Sequence, residues 1–158
     1  YAHRNEIVHR DMKPANILIE KDSKRPLITD FGIVQVNRVK DKSKPSIHGT
    51  PLYMAPEQII GRDVDGRADI YSMGTMLFQM LVTRLPLPAF KSKPELLKHK
   101  LLKKEGLFLQ MPSEVNPALS EDMDRIMQKA LAHDPAQRYA TCGEFQKDLE
   151  VYRKNHCS

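Results

Sequence analysis

HRDMKPANIL, residues 9–18, places three charged side chains, a proline and an asparagine between the apolar pairs Ile7-Val8 and Ile17-Leu18. Asp11 and Asn16 stand five residues apart in the polar part of this stretch. Polar loops mounted on short apolar elements commonly carry binding and catalytic residues. The stretch therefore predicts an active-site loop that leads directly into a β-strand.

The residues around this loop predict a small β patch. Short apolar runs at 7–8, 17–19, 27–29 and 33–34 have the character of strands. The polar segment 20–26 contains turn residues and predicts a hairpin between the second and third runs. A hairpin returns the chain to where it left, so Asp30 is expected beside Asn16.

From Pro56 onward the apolar period becomes helical. Ile70, Met73, Leu77 and the pair Met80-Leu81 recur at the spacing of one strongly buried helix. Further helices are predicted at 94–104 after the N-cap Ser92, from Ser120, and from the capping box of Thr141 and Glu144, with a linker at 112–117. The sequence thus predicts a mainly α protein with a small β patch (α+β), without the βαβ alternation of a doubly wound sheet.

Composition is that of a single globular domain. The chain has 158 residues, 41% of them hydrophobic and 28% charged, and a net charge of +5. No run reaches the ~18 apolar residues of a membrane span, and no signal peptide is found. The basic runs 38–44 and 91–104 lack interleaved aromatic residues, which predicts solvated surface rather than nucleic-acid binding. The two cysteines weakly favour a reducing, cytoplasmic location.

The polar side chains of the loop and hairpin suit a magnesium site. Asn16 and Asp30 supply the amide and carboxylate oxygens that Mg²⁺ prefers, and phosphates usually complete the coordination shell. Lys13, two residues after Asp11, can place a positive charge beside the same site. These positions predict a metal and phosphate site at one end of the β patch.

The order and spacing of these motifs resemble the protein kinase superfamily. His9-Arg10-Asp11, Asn16 and Asp30-Phe31-Gly32 follow one another as the family's catalytic loop and metal-binding motif do. GTPLYMAPE at 49–57, DIYSMG at 69–74 and HDPAQR at 133–138 continue the resemblance, which covers essentially all of the chain. It is most similar to bacterial eukaryotic-like Ser/Thr kinases. It implies a catalytic loop at 9–16, an activation segment at 30–57 and a helical C-lobe at 58–153.

The resemblance implies a role for each polar residue. Asp11 would accept or orient the proton of a substrate hydroxyl, and Asn16 and Asp30 would hold Mg²⁺, or Mn²⁺, against the phosphates of ATP. Lys13 together with Thr50 is the pattern of Ser/Thr rather than Tyr kinases. Lys13 would stabilise the transferring charge, and Thr50 would fix the peptide-binding loop against Asp11.

Three further residues are implied to be structural. Glu57 and Arg138 match the family's buried ion pair, although two independent surface charges are the plainer alternative. Asp69 would accept hydrogen bonds from the backbone of the catalytic loop. Its plainer alternative is a carboxylate in the first turn of a helix, where it would contribute under about 1 kcal/mol.

Arg10 precedes the catalytic aspartate, an arrangement in which kinases use an activation-loop phosphate as a switch. Ser43 and Ser46 are therefore predicted phosphosites, because Arg10 could pair with the added phosphate and order a basic loop. Solvated loop serines without modification are an equally weighted alternative.

Part of the family's machinery is not found in the sequence. Its seven glycines include no G-x-G, and the family's Gly-rich loop, strand lysine and helix glutamate all precede the catalytic loop, before which only eight residues stand. We therefore expect an incomplete kinase C-lobe whose N-lobe and most of whose preceding helix are absent. We also expect that loss to expose an apolar face from Ile70 to Leu81 and to favour self-association.

Two classes of function follow from this interpretation. The first is the catalytic C-lobe of a Ser/Thr protein kinase that acts on protein substrates, with the isolated chain inactive. The second is a non-catalytic interaction module or self-associating C-lobe.

Overall fold

The fold is described here from a computed structural model that covers residues 2–31, 50–61 and 64–156. Its sheet consists of β1 (Ile17–Ile19) and β2 (Pro26–Ile28), which pair antiparallel with Ile17 opposite Ile28. The helices are α1 (Pro56–Ile59), α2 (Gly66–Leu81), α3 (Lys93–Leu102), α4 (Pro112–Val115), α5 (Glu121–Ala130) and α6 (Cys142–His156). The predicted class, mainly α with a small β patch, is confirmed.

Side-chain caps begin the helices close to where the sequence predicts. The Ser92 hydroxyl accepts from the Glu95 amide at the start of α3, and the Thr141 hydroxyl accepts from the Glu144 amide at the start of α6. The central helix α2 begins at Gly66, after Asp65 accepts from the Arg67 amide. Each cap satisfies an amide that the first helical turn leaves without a backbone partner.

Two local predictions are wrong. Residues 7–8 form no strand, because the Ile7 amide donates to the Ala2 carbonyl and closes a turn at the end of the 3₁₀ helix Ala2–Asn5. The predicted linker 112–117 contains α4, whose Ser113 amide and hydroxyl both donate to the Asp124 carboxylate. The predicted strand at 33–34 lies outside the described residues.

The core lies where α2 meets α5 and α6. The Ile70 and Phe78 side chains of α2 have no exposed surface and pack with Met127 of α5 and Phe145 of α6. Gly74 allows the helices to approach closely, since a Cβ built there would lie 3.0 Å from the Ala130 Cβ. This close packing holds α2 in place, and Asp69 in its first turn contacts the loop 9–16.

The prediction of an exposed apolar face from Ile70 to Leu81 is largely wrong, because this packing covers it. Only Met80 of that face is strongly exposed, at 79%, because α5 and α6 cover the stripe that carries Ile70 and Phe78. Exposed apolar surface is found instead on the hairpin, where Leu18 is 55% and Ile19 is 60% exposed. No helix among the described residues has the length and apolarity needed to cross a membrane.

Candidate active site

Asp69, in the first turn of α2, anchors the loop 9–16. One carboxylate oxygen accepts from the His9 amide at 2.8 Å, and the other accepts from the Arg10 amide at 2.8 Å. Asp69 is only 3% exposed, which strengthens these charge-assisted bonds. They hold Arg10 at a φ of 65°, a left-handed conformation that non-glycine residues seldom adopt. Of the two interpretations of Asp69, the geometry is that of a backbone anchor.

His3, which the sequence reasoning missed, is a further partner of the Asp69 carboxylate. Its Nε2 donates to the Asp69 carboxylate at 2.8 Å, and its Nδ1 lies 3.6 Å from the sulfur of Cys142. Burial is the main reason why the pKa of the Cys142 thiol is raised, so the thiol stays protonated and can donate to the imidazole. Gly66 leaves room for the His3 ring, because a Cβ there would lie 2.5 Å from Nδ1.

His9 connects the loop to the end of β2. Its Nδ1 accepts from the Asp11 amide at 3.3 Å, which requires Nε2 to carry the proton that is donated to the Thr29 carbonyl at 2.8 Å. Its ring also packs against Phe31, with 4.9 Å between the ring centroids. His9 therefore holds the segment around Asp30 against the loop that carries Asp11.

Asp11, Lys13 and Asn16 form one hydrogen-bonded group. The Lys13 ammonium lies 2.6 Å from the Asp11 Oδ2, and the Asn16 amide nitrogen donates to the Asp11 backbone carbonyl at 2.8 Å. The Asp11 Oδ1 has no hydrogen-bond partner within the described parts of the chain. The carboxylate is thus fixed by one oxygen and presents the other, in a side chain that is 31% exposed.

Asp30 is carried beside Asn16 by the hairpin. The Thr29 amide donates to the Asn16 carbonyl at 2.9 Å, which continues the strand pairing to the residue before Asp30. Asp30 itself is exposed and has a φ of 52°, in the left-handed region. The predicted juxtaposition of the two residues is therefore present at the level of the backbone.

This donor set fits a magnesium ion that completes its shell with ligand oxygens. The Asn16 amide nitrogen is engaged with Asp11, which leaves its Oδ1 for a cation, and the Asp30 carboxylate adds a second hard oxygen. No cluster of three or more His, Cys, Asp or Glu side chains occurs in the residues described, so the protein alone offers no complete metal cage there. Such an incomplete set is typical of sites where Mg²⁺ binds together with phosphates.

The loop 50–54 forms the opposite wall of the site. Thr50, Tyr53 and Asp11 line the same small pocket, and the Tyr53 amide donates to the Thr50 carbonyl at 3.0 Å. Among the described residues the Thr50 hydroxyl makes no hydrogen bond to Asp11. Gln58 of α1, shortly after this loop, contacts the loop 9–16 instead, since its amide nitrogen donates to the Arg10 carbonyl at 2.7 Å.

The prediction that the whole basic run 91–104 is solvated is wrong for Lys100, which is buried. It is 2% exposed, and its ammonium donates to the carbonyls of Pro51, Leu52 and Met54. Burial is the main cause that lowers the pKa of Lys100 to about 7. Composition alone could not separate this lysine from its exposed neighbours, because its acceptors lie about fifty residues earlier in the sequence.

Glu57 and Arg138 form a bidentate ion pair, with N–O distances of 2.7 and 2.9 Å. The remaining guanidinium N–H groups donate to the carbonyls of Ala132, His133 and Arg67. The Arg138 side chain has no exposed surface and that of Glu57 is 8% exposed. The pair therefore joins α1 to the segment before α6, rather than forming two surface charges.

The predicted regulatory residues are only partly described. The backbone of Arg10 is fixed by Asp69 and Gln58, and Arg10 is exposed. Ser43 and Ser46 lie outside the described residues.

The amino-acid sequence is similar to those of several known proteins. The family profile described as "Protein kinase domain" matches residues 1–149. The chain is 39% identical to serine/threonine-protein kinase Pkn1 of Myxococcus xanthus, over 98% of this chain and 22% of that protein. It is 33% identical to serine/threonine-protein kinase PknB of Mycobacterium leprae, over 94% of this chain and 23% of that protein. The chain thus spans about a fifth of the length of these relatives.

Proposed function

The chain belongs to the protein kinase family, and from that membership we propose that the protein containing it transfers the γ-phosphate of ATP to serine and threonine hydroxyls of other proteins. The observation that carries this proposal is the group of Asp11, Lys13 and Asn16 held on the backbone anchor Asp69. Both similar proteins carry the name serine/threonine-protein kinase.

Asp11 is proposed to act on the substrate hydroxyl. Its Oδ2 is engaged by the Lys13 ammonium, so the Oδ1 is the oxygen available to orient the hydroxyl and to take up its proton. The ammonium, 2.6 Å from the carboxylate, can also stabilise negative charge on the group being transferred. Fixed donors of this kind contribute because they need little reorganisation during the reaction.

Asn16 and Asp30 are proposed to hold Mg²⁺, with Mn²⁺ as a possible substitute. Bound there with ATP, the ion would neutralise charge on the phosphates. Asn16 is suited to this task because Asp11 fixes its amide orientation, and Asp30 because the hairpin carries it to the same edge of the sheet. Lys13 is proposed to contact the phosphate that is transferred to the hydroxyl oriented by Asp11.

The remaining nucleotide contacts are proposed to come from a segment outside these 158 residues, since their sequence contains no G-x-G loop. The exposed apolar side chains of the hairpin, Leu18 and Ile19 among them, favour this segment as their partner. A chain that binds this segment or another partner without turnover is the second candidate function. Arg10 is further proposed to bind a phosphate on Ser43 or Ser46, because its exposed side chain sits on an anchored backbone.

The proposed metal site is tested with Asp30→Asn in the product of the longest reading frame that contains this chain. Transfer of phosphate from ATP to a basic protein substrate is measured across a Mg²⁺ titration. We expect Asp30→Asn to raise the half-saturating Mg²⁺ concentration at least about tenfold, because one of two protein oxygen ligands loses its charge.

Asp22→Asn, an equivalent change on the exposed hairpin turn, is the matched control and should leave the titration unchanged. Identical titrations for wild type and Asp30→Asn would refute the metal role. Binding of a partner with no phosphate transfer by the wild type at any Mg²⁺ concentration would favour the second candidate function.

A further inference from the structure

Lys100 is buried, unlike the other lysines of α3. Lys93 and Lys98 of α3 are exposed, whereas Lys100 is 2% exposed and points its ammonium at the loop 51–54. A buried lysine needs partners for its charge and its N–H groups. Here the partners are backbone carbonyls of a single loop.

The ammonium and its acceptors match in number. Three N–H groups meet the carbonyls of Pro51, Leu52 and Met54 at 3.0, 2.6 and 2.6 Å. The Tyr71 ring lies beneath the same ammonium, 4.9 Å away at its centroid, and contributes a cation–π contact. Each donor of the buried ammonium is therefore satisfied within the fold.

The loop depends on these bonds because it has no regular structure of its own. The Tyr53 carbonyl, the one that Lys100 does not bind, accepts from the Ser72 hydroxyl at 2.8 Å. All four consecutive carbonyls of residues 51–54 are thus bound by side chains from α2 and α3. Beside its one internal bond, from the Tyr53 amide to the Thr50 carbonyl, the loop is held from outside, and Lys100 binds three of these four carbonyls.

This loop is the wall of the site that faces Asp11. Thr50 and Tyr53 line the pocket that also contains Asp11 and Arg10. We propose that Lys100 is a positioning residue that sets the shape of the substrate-facing loop 50–54 and thereby the affinity for the protein substrate. What the loop binds rests on the proposed kinase function, whereas the constraint on the loop does not.

The charges around Lys100 add a pH dependence. Glu57 and Arg138 are the charged groups that act on it, the first favouring the ammonium and the second opposing it, while α2 contributes the neutral Tyr71. Burial lowers the pKa of Lys100 to about 7, so the amine loses its third N–H group as the pH rises through neutrality. Two donors then face three carbonyls, and the loop should loosen.

The test compares Lys100→Met with Lys98→Met, which removes an exposed lysine two residues away on the same helix. Both changes are made in the product of the longest reading frame that contains the chain. Hydrogen exchange of the amides at 50–55 is measured, together with KM for a protein substrate, KM for ATP and kcat. We expect Lys100→Met to speed loop exchange at least about tenfold while protection in α5 and α6 is unchanged. We also expect it to raise KM for the protein substrate with little effect on kcat.

Loop exchange in Lys100→Met equal to that in Lys98→Met would overturn the proposal. If Lys100→Met fails to fold, the milder Lys100→Gln, which keeps an amide with two N–H donors, is compared with Lys98→Gln by the same loop exchange. Faster hydrogen exchange confined to the loop supports the proposal, and unchanged loop exchange overturns it. If Lys100→Met speeds loop exchange but the wild type transfers no phosphate, Lys100 remains the constraint on the loop and the proposed kinase function is refuted instead.

Discussion

Removing the charge of Glu57 should destabilise the fold far more than removing any surface charge. Arg138 donates all five of its N–H groups, two to Glu57 and three to backbone carbonyls, and has no exposed surface. Glu57→Gln keeps the size of the side chain and leaves the guanidinium buried without a counter-charge. We expect a loss of about 3–5 kcal/mol in the free energy of unfolding, the usual cost of breaking a buried pair. That is a large part of the roughly 5–15 kcal/mol available to a domain.

Urea denaturation at neutral pH measures this loss through the midpoint and the slope m. Arg125→Met is the matched control, because the Arg125–Asp122 pair is exposed and should contribute under about 1 kcal/mol. The double variant Glu57→Gln with Arg138→Met should lose less than the sum of the two single losses, since no buried charge then remains unpaired. A loss below about 1 kcal/mol for Glu57→Gln with unchanged m, or additive losses in the double variant, would refute the reasoning.

Two further predictions concern helix packing and regulation. Gly74→Ala should destabilise the fold by about 1 kcal/mol, because the new Cβ would meet Ala130 at 3.0 Å and the overpacking outweighs the helix-propensity gain. Gly143→Ala meets only an ordinary contact of 3.7 Å and should be neutral or stabilising, so equal thermal unfolding of the two variants would contradict the packing argument. Phosphopeptide mapping after incubation of the longest reading-frame product with Mg-ATP should find phosphate on Ser43 or Ser46, and Arg10→Ala should lower activity only when that phosphate is present. If Ser43 and Ser46 are both unmodified in a protein that phosphorylates its substrate, the proposed switch is refuted.

The parts of the site that the sequence could predict are those fixed by local geometry. The spacing of Asp11 and Asn16 sets them on one loop, and the hairpin returns Asp30 to the same edge, so both features follow from short-range chain geometry. The caps at Ser92 and Thr141 follow for the same reason, because a cap involves residues only two or three apart.

The remaining features depend on contacts between distant segments. The sequence near Lys100 does not distinguish it from a surface lysine, because its partners in the loop 51–54 are distant in the sequence. Nothing in the sequence near His3 indicates that it binds Asp69, which is sixty-six residues away. The prediction that Ile70 to Leu81 is exposed is wrong. The spacing of apolar residues identifies the apolar face of a helix, but it does not identify the elements that pack against that face. The structure assigns that cover to α5 and α6.

The central claim is that Asp11 directs phosphate transfer to a protein hydroxyl, and the most direct test is the rate of that transfer from ATP. The rate is measured for wild type, Asp11→Asn and the control Asp22→Asn in the longest reading-frame product, with unfolding midpoints recorded for each protein. We predict that Asp11→Asn lowers the rate at least about 10²-fold without a matching change in stability, and that Asp22→Asn retains the wild-type rate. A wild-type rate in Asp11→Asn would contradict the account.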